Sequence, residues 1–171
     1  MPANIEIKAA LKDFAAAEAV AARLSGSGPE VLHQQDFFFR CDGARLKLRI
    51  LAPDRGELIR YERPDTKDAR CSRYQIARTS DPRILLNILT NIQEPVGLVK
   101  KTRTLYLVGQ TRVHLDKVEG LGEFLELEVV LRPDQSEADG RLIAEALLAE
   151  FQAQIGGLIG EAYVDLLTLH A

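Results

Sequence analysis

The 171-residue chain has no tryptophan, and aromatic residues make up only 6% of it. This scarcity argues against a surface that stacks nucleic-acid bases, and a net charge of −3 gives no basic excess for a nucleic-acid backbone. No run of about 18 apolar residues occurs, so we expect no membrane-spanning helix. The first residues lack the basic and apolar stretches of a signal peptide. We therefore expect a cytoplasmic protein with no nucleic-acid or membrane partner.

Cysteine is also rare. Cys41 and Cys71 stand far apart, and neither has a CxxC partner. They form no zinc-binding pattern and no disulfide framework, which fits a reducing compartment. The remaining composition, 46% hydrophobic and 27% charged residues, is that of an ordinary globular protein with a core. We predict a single domain over residues 1–171.

Strict alternation of polar and apolar residues predicts about eight β-strands along the chain. In the first of them, NIEIK, Asn4, Glu6 and Lys8 fall on one parity and the two isoleucines on the other. Helical spacing occurs after this strand, in the middle of the chain, and near its end. The repeated hairpin spacing favours an antiparallel sheet or barrel over a doubly wound parallel sheet. The sequence therefore predicts an α+β fold.

The polar parity of these strands is rich in arginine and lysine, whereas an ordinary solvated face mixes many polar residue types. Its basic members are Lys8, Arg45, Lys47, Arg49, Arg60, Arg73, Lys101, Arg103 and Arg112. A closed barrel lined by these side chains would bind a ligand with several negative charges, and phosphate is the natural candidate.

Carboxylates fall on the same parity, namely Glu6, Glu62, Asp116, Glu126 and Glu128. They would repel a phosphate unless a divalent cation lay between them, and Mg²⁺ commonly takes one or two carboxylates together with phosphate oxygens. The patterning alone leaves a second interpretation open, in which this parity is a solvated face beside an ordinary core.

The order and spacing of several blocks resemble the CYTH family, also called triphosphate tunnel metalloenzymes, which includes class IV adenylyl cyclases and thiamine triphosphatases. These blocks are NIEIK, HQQDFFF, RLKLR, VKKTR, RVHLDKVEGLGEFLELE and YVDLL. The first corresponds to the family motif ExExK. The resemblance implies an eight-stranded antiparallel β-barrel, a triphosphate tunnel, with flanking helices and inward-pointing polar residues.

The resemblance also implies roles for particular residues, with Mg²⁺ or Mn²⁺ as the cofactor. The implied metal ligands are Glu6, Asp116, Glu126 and Glu128. The implied triphosphate contacts are Lys8, Lys47, Arg49, Lys101 and Arg103, to which the strand parity adds Arg45, Arg60, Arg73 and Arg112. Candidate catalytic residues are Glu6, Lys8, Glu126 and Glu128.

Two positions depart from the family pattern. Asn4 replaces the first glutamate of ExExK and brings no charge, so the number of bound metals is open. Glu62 stands where many relatives have an inward lysine, and Arg60 is the expected substitute for the missing charge.

Two chemistries fit such a tunnel. A triphosphatase would hydrolyse a small triphosphate such as ATP, thiamine triphosphate or inorganic triphosphate, whereas a class IV adenylyl cyclase would convert ATP to cyclic AMP and pyrophosphate. No adenine-reading feature is present, which favours the triphosphatase. A non-catalytic polyphosphate- or nucleotide-binding module is the third possibility. The expected assembly is a monomer or homodimer.

Overall fold

The structure, a computed structural model, describes all residues 1–171 and contains nine strands and four helices. The strands are β1 (Ala3–Leu11), β2 (Glu30–Phe39), β3 (Arg45–Ala52), β4 (Arg55–Glu62), β5 (Arg70–Thr79), β6 (Pro95–Val108), β7 (Thr111–Val118), β8 (Gly122–Val130) and β9 (Ile155–Leu158). The helices are α1 (Phe14–Ser25), α2 (Pro82–Ile92), α3 (Glu137–Glu150) and α4 (Tyr163–Leu169).

Strands β1 to β8 close into an antiparallel barrel in the order β5-β4-β3-β2-β6-β7-β8-β1. The first strand closes it, because β1 pairs with β8 on one side and with β5 on the other. This confirms the predicted eight-stranded antiparallel barrel with flanking helices. Strand β9, which contains Gly156 and Gly157, pairs with β1 outside the barrel.

The largest core lies between the outer wall of the barrel and helices α1 and α3. Ile5 and Ile7 of β1 pack there with apolar residues of β7 and β8. Helix α1 begins after Asp13, whose carboxylate accepts a hydrogen bond from the Ala16 amide, and α3 begins with a capping box at Ser136. Because the isoleucines face this core, the alternate residues of β1 face the barrel interior. None of the four helices combines the length and apolar character needed to span a bilayer.

In strand β4 the residues that were predicted to face the barrel interior face outward instead. Its outer face packs under α2, where a Cβ atom on Gly56 would lie 2.6 Å from Cβ of Pro82. Arg60 shares this outer parity and forms a half-exposed ion pair with Glu62. The prediction that Arg60 and Glu62 face inward is therefore wrong, because helix packing against the other residues of this face fixes the orientation of the strand.

Arg73 of β5 also points outward. Its guanidinium donates to Glu137 at the start of α3, at 2.8 Å, and both side chains are exposed. Its neighbours Ser72 and Tyr74 line the cavity, as do Ile76 and Arg78 farther along β5. The prediction that Arg73 lines the tunnel is therefore wrong.

Candidate active site in the tunnel

The interior of the barrel is a polar cavity of about 470 Å³. Nine of the side chains predicted for the site lie in its wall: Glu6, Lys8, Lys47, Arg49, Lys101, Arg103, Arg112, Glu126 and Glu128. They come from β1, β3, β6, β7 and β8, so strand alternation around the closed barrel brings together residues that are far apart in sequence.

One basic pair of the tunnel is held by a buried carboxylate, Asp36 of β2. Arg49 donates to both oxygens of Asp36 at 2.8 Å, and Lys47 donates to one of them at 3.0 Å. Burial alone would raise the pKa of Asp36, but Arg49 and Lys47 hold it well below its ordinary value. Asp36 is thus an ionised internal partner that fixes two cations on the tunnel wall.

A second carboxylate holds the basic pair of β6 in the same way. Arg103 donates to the two oxygens of Asp116 at 2.7 and 2.6 Å, and Lys101 and the Tyr163 hydroxyl donate to one of them at 3.3 and 3.0 Å. Asp116 is 0% exposed. The oxygens of Asp116 are therefore already engaged by three side chains.

The acidic side of the tunnel is formed by Glu126 and Glu128 of β8 beside His114 of β7. Each of these three side chains offers one potential ligand atom, and the three atoms lie within 4.8 Å of one another. Each carboxylate has an arginine partner: Arg103 donates to Glu126 at 2.8 Å, and Arg112 lies 2.9 Å from Glu128. Burial and the nearby Arg103 lower the pKa of His114, which keeps its imidazole neutral near pH 7.

Glu6 of β1 completes this acidic side. Burial, reinforced by the negative charges of Glu126 and Glu128, raises its pKa. Arg63 lies 3.2 Å from its carboxylate and is its cationic partner. Burial would raise the pKa of Glu126 and Glu128 as well, but hydrogen bonding and nearby cations hold both below their ordinary values.

Lys8 lies in an unusual environment for an ammonium group. It donates to the backbone carbonyl of Glu161 at 2.9 Å, and its nitrogen lies 4.2 Å from the centre of the Tyr163 ring. Burial is the main cause that lowers its pKa to about 7. A negatively charged ligand in the tunnel would favour the protonated form of Lys8.

Arg45 lies at one end of the barrel and not in the wall of the cavity. Its guanidinium contacts Asp65 in the loop after β4 and Asp165 in α4, each at 2.7 Å. These contacts tie α4 to the barrel. The tunnel therefore lacks three of the predicted basic residues, Arg45, Arg60 and Arg73.

Sequence reasoning missed three important residues. Asp36 belongs to the HQQDFFF block, and its parity with Gln34 and Phe38 was available as a signal. Arg63 follows β4 and is only 3% exposed at its side chain; the inverted parity of that strand hid it. Tyr163 sits in the YVDLL block, and the sequence gives no sign that its hydroxyl reaches Asp116 inside the barrel.

The acidic residues of the tunnel fit a divalent cation. Asn4 Oδ1 and His114 Nδ1 are buried and have no hydrogen-bond partner. They line the same cavity as Glu6, Glu126 and Glu128, and the charges of Glu126 and Glu128 repel that of Glu6. Oxygen and imidazole nitrogen atoms are the usual protein ligands of divalent metals. A cation here would satisfy the unpaired atoms and offset the repulsion between the carboxylates.

Comparison with known proteins yields a family match. The model of the CYTH domain matches residues 2–153 of this chain. Adenylate cyclase CyaB of Aeromonas hydrophila is 27% identical over 166 aligned residues, which cover 91% of this chain and 78% of that protein.

Solved structures share the fold at lower sequence identity. The PH1012 protein of Pyrococcus horikoshii superposes with a TM-score of 0.84 at 20% identity, covering 96% of this chain and 99% of that one. HpAC1 of Hippeastrum, an adenylyl cyclase candidate with a dominant triphosphatase activity, has a TM-score of 0.66 at 17% identity, with coverage of 97% and 95%. At these identities the likeness concerns the fold.

Proposed function

Because the chain belongs to the CYTH family, we propose that it is a metal-dependent triphosphatase that hydrolyses a small organic or inorganic triphosphate in its tunnel. The observation that carries this proposal is the cavity wall, which contains two fixed basic pairs together with a group of carboxylates. A triphosphate needs cations along its length and a metal at its oxygens. Candidate side chains for both tasks line one cavity.

Five basic side chains are proposed to hold the triphosphate: Lys8, Lys47, Arg49, Lys101 and Arg103. Arg63 and Arg112 are proposed to balance the acidic side through Glu6 and Glu128. Phosphoryl transfer depends largely on positioning and on neutralising the charge of the phosphoryl oxygens. Because Asp36 and Asp116 fix the cations before substrate enters, little reorganisation is required during the reaction.

Mg²⁺ or Mn²⁺ is proposed to bind at Glu6, Glu126 and Glu128 and, when bound, would neutralise phosphate charge and polarise the attacking water. We propose a different role for Asp116, which the family resemblance implied to be a ligand. Its four hydrogen bonds leave it better suited to positioning Lys101 and Arg103.

Conversion of ATP to cyclic AMP is the second candidate. It is favoured by the similarity to the Aeromonas adenylate cyclase, and the tunnel wall includes apolar and aromatic side chains, among them Leu32, Leu105 and Tyr74, that could contact a nucleoside. In that reaction the ribose 3′-hydroxyl attacks the α-phosphorus and pyrophosphate leaves. In hydrolysis water attacks the terminal phosphorus, the diphosphate part is the leaving group, and the attacked phosphoryl group becomes orthophosphate.

The test is to incubate the purified protein with ATP, thiamine triphosphate or inorganic triphosphate, each with Mg²⁺ or Mn²⁺. Orthophosphate, pyrophosphate and cyclic AMP are measured separately. Metal-dependent release of orthophosphate is the expected result. Cyclic AMP with an equal amount of pyrophosphate would support the cyclase instead, and binding of a triphosphate without turnover would support the non-catalytic module.

The affinity for inorganic triphosphate is expected to fall as the pH rises from about 7 to about 9. Burial, followed by repulsion from Arg49, lowers the pKa of Lys47 to about 8, although Asp36 acts in the opposite direction. Lys47 is therefore charged below that pH and loses its charge above it, and Lys8 does the same from about pH 7. Calorimetric titration at several pH values measures this dependence.

The variant Lys47→Arg keeps its charge throughout this range, so its affinity should fall less steeply with pH. Lys67→Arg, in an exposed loop, is the matched control and should behave as the original protein does. An equally steep fall in Lys47→Arg would contradict the proposed contact between Lys47 and the triphosphate.

Asn4→Glu restores the first carboxylate of the family motif. We expect metal-free Asn4→Glu to unfold at a lower temperature, since the new carboxylate joins Glu6, Glu126 and Glu128 in a buried space. Added Mn²⁺ should raise its melting temperature more than that of the original protein. Thermal unfolding with and without Mn²⁺ gives both values, and an unchanged metal response would contradict the proposed position of Asn4 at the metal site.

A further inference from the structure

His114 is the one histidine in the barrel interior. It lies on β7 directly opposite Glu126 of β8 in the register of the two strands, and it is 3% exposed. The other two histidines, His33 and His170, lie on the exposed surface. The side chain of His114 therefore lies inside the tunnel, among carboxylates.

The Nδ1 atom of His114 is buried and has no hydrogen-bond partner. It lies 4.0 Å from a carboxylate oxygen of Glu126 and 3.8 Å from one of Glu128. Both separations exceed hydrogen-bond length. Two ligand atoms each at about 2.1 Å from a shared cation lie roughly 3–4 Å apart, so these separations suit a common ion.

The two carboxylates keep oxygens available for such an ion. Arg103 contacts Oε2 of Glu126, and Arg112 lies beside Oε2 of Glu128. The Glu126 oxygen that lies 4.0 Å from His114 Nδ1 is this same Oε2, whereas the Glu128 oxygen that lies 3.8 Å from Nδ1 is Oε1. The arginines thus fix the orientation of both carboxylates. An ion at this position would share Oε2 of Glu126 with Arg103 and would find Oε1 of Glu128 on the nitrogen side of the cluster.

We propose that His114 Nδ1 is a nitrogen ligand of the ion bound by Glu126 and Glu128, and that it makes this site select a first-row transition-metal dication over Mg²⁺. The inference rests on the proposed metal site. Mg²⁺ takes oxygen ligands in a near-octahedral arrangement and keeps several waters. An imidazole nitrogen adds affinity for Mn²⁺ and, more strongly, for Co²⁺, in the order typical of these ions.

The direct test is pulsed electron paramagnetic resonance of the full chain loaded with Mn²⁺. Nuclear modulation from a coordinated ¹⁴N is expected in the original protein and is expected to disappear in His114→Gln. His33→Gln is the matched control, because it removes an exposed histidine, and it should keep the modulation. Bound Mn²⁺ without nitrogen modulation in the original protein would overturn the proposal, and this measurement does not require the variant to fold.

Metal titrations give the selectivity. We expect Co²⁺ to bind the original protein at least about tenfold more tightly than Mg²⁺. In His114→Gln the Co²⁺ affinity should fall by about tenfold or more, while the Mg²⁺ affinity changes by less than about twofold. Equal losses for the two ions would assign His114 a structural role and overturn the proposal.

The outcomes separate this inference from the proposed function. Metal-dependent turnover of a triphosphate by a protein whose Mn²⁺ shows no nitrogen ligand would overturn the role of His114 and leave the triphosphatase intact. Nitrogen modulation that depends on His114, in a protein that turns over no triphosphate, would support the ligand and contradict the enzyme.

Discussion

Replacing Glu126 or Glu128 by glutamine is expected to remove most metal-dependent triphosphate turnover, by about 100-fold or more in kcat. Each glutamine keeps the shape of the side chain and removes one negative charge from the acidic side of the tunnel. Each also leaves its arginine partner, Arg103 or Arg112, with less charge to neutralise it. Steady-state kinetics with the best triphosphate and a saturating metal concentration measures the loss.

The fold of these variants should persist, because their backbone positions are fixed by strand pairing with β1 and β7. Circular dichroism and thermal unfolding check this point. Glu137→Gln is the matched control, since that exposed carboxylate at the start of α3 pairs with the outward-facing Arg73 outside the tunnel, and it should keep full activity. Full activity in both Glu126→Gln and Glu128→Gln would refute the metal assignment.

Arg103→Met is expected to lower the free energy of unfolding by about 3–5 kcal/mol. Arg103 supplies two of the four hydrogen bonds to Asp116, a carboxylate with no exposed surface. The methionine replaces the aliphatic stem and leaves Asp116 with Lys101 and Tyr163 as its remaining donors. Urea-induced unfolding of the variant measures the change.

Two further variants establish the cause. Adding Asp116→Asn to Arg103→Met removes the buried charge, so the double variant should recover part of the loss, by at least about 1 kcal/mol. Arg60→Met breaks an ion pair on the outer surface of β4 and should cost less than about 1 kcal/mol. If Arg103→Met were no more harmful than Arg60→Met, the Asp116 cluster would have no structural role.

The fold was predictable from sequence because strand alternation is a local property. In β1, β3 and β8 polar and apolar residues alternate over the tunnel stretch, so the inward parity could be assigned from the residues alone. In β6 Lys100 and Thr102 are polar on the outward parity, and there the resemblance of the VKKTR block indicated Lys101 and Arg103. In β4 and β5 both parities contain polar and apolar residues. There the orientation depends on α2 packing over Gly56, which is a contact between separate elements and is not visible in the alternation.

The internal ion pairs were not predictable for a related reason. The sequence places Arg49, Arg103 and Asp116 on the inward parity, but it does not say which charges meet across the barrel. That depends on strand order and stagger, which bring Asp36 beside Arg49 through the register of β2 and β3. Residues predicted as free phosphate contacts are consequently found with carboxylate partners already in place.

The position of β1 also determines when the site can exist as the chain is synthesised. The strand made first closes the barrel, through contacts of Glu6 with Arg70 on one seam and with Glu128 on the other. Both seams join segments distant in sequence, and such contacts form late because they require the closure of long loops. The nascent chain must therefore carry Glu6 and Lys8 on an unclosed strand until β8 has left the ribosome. Any fusion or truncation that hinders β1 would remove the barrel and the candidate active site together.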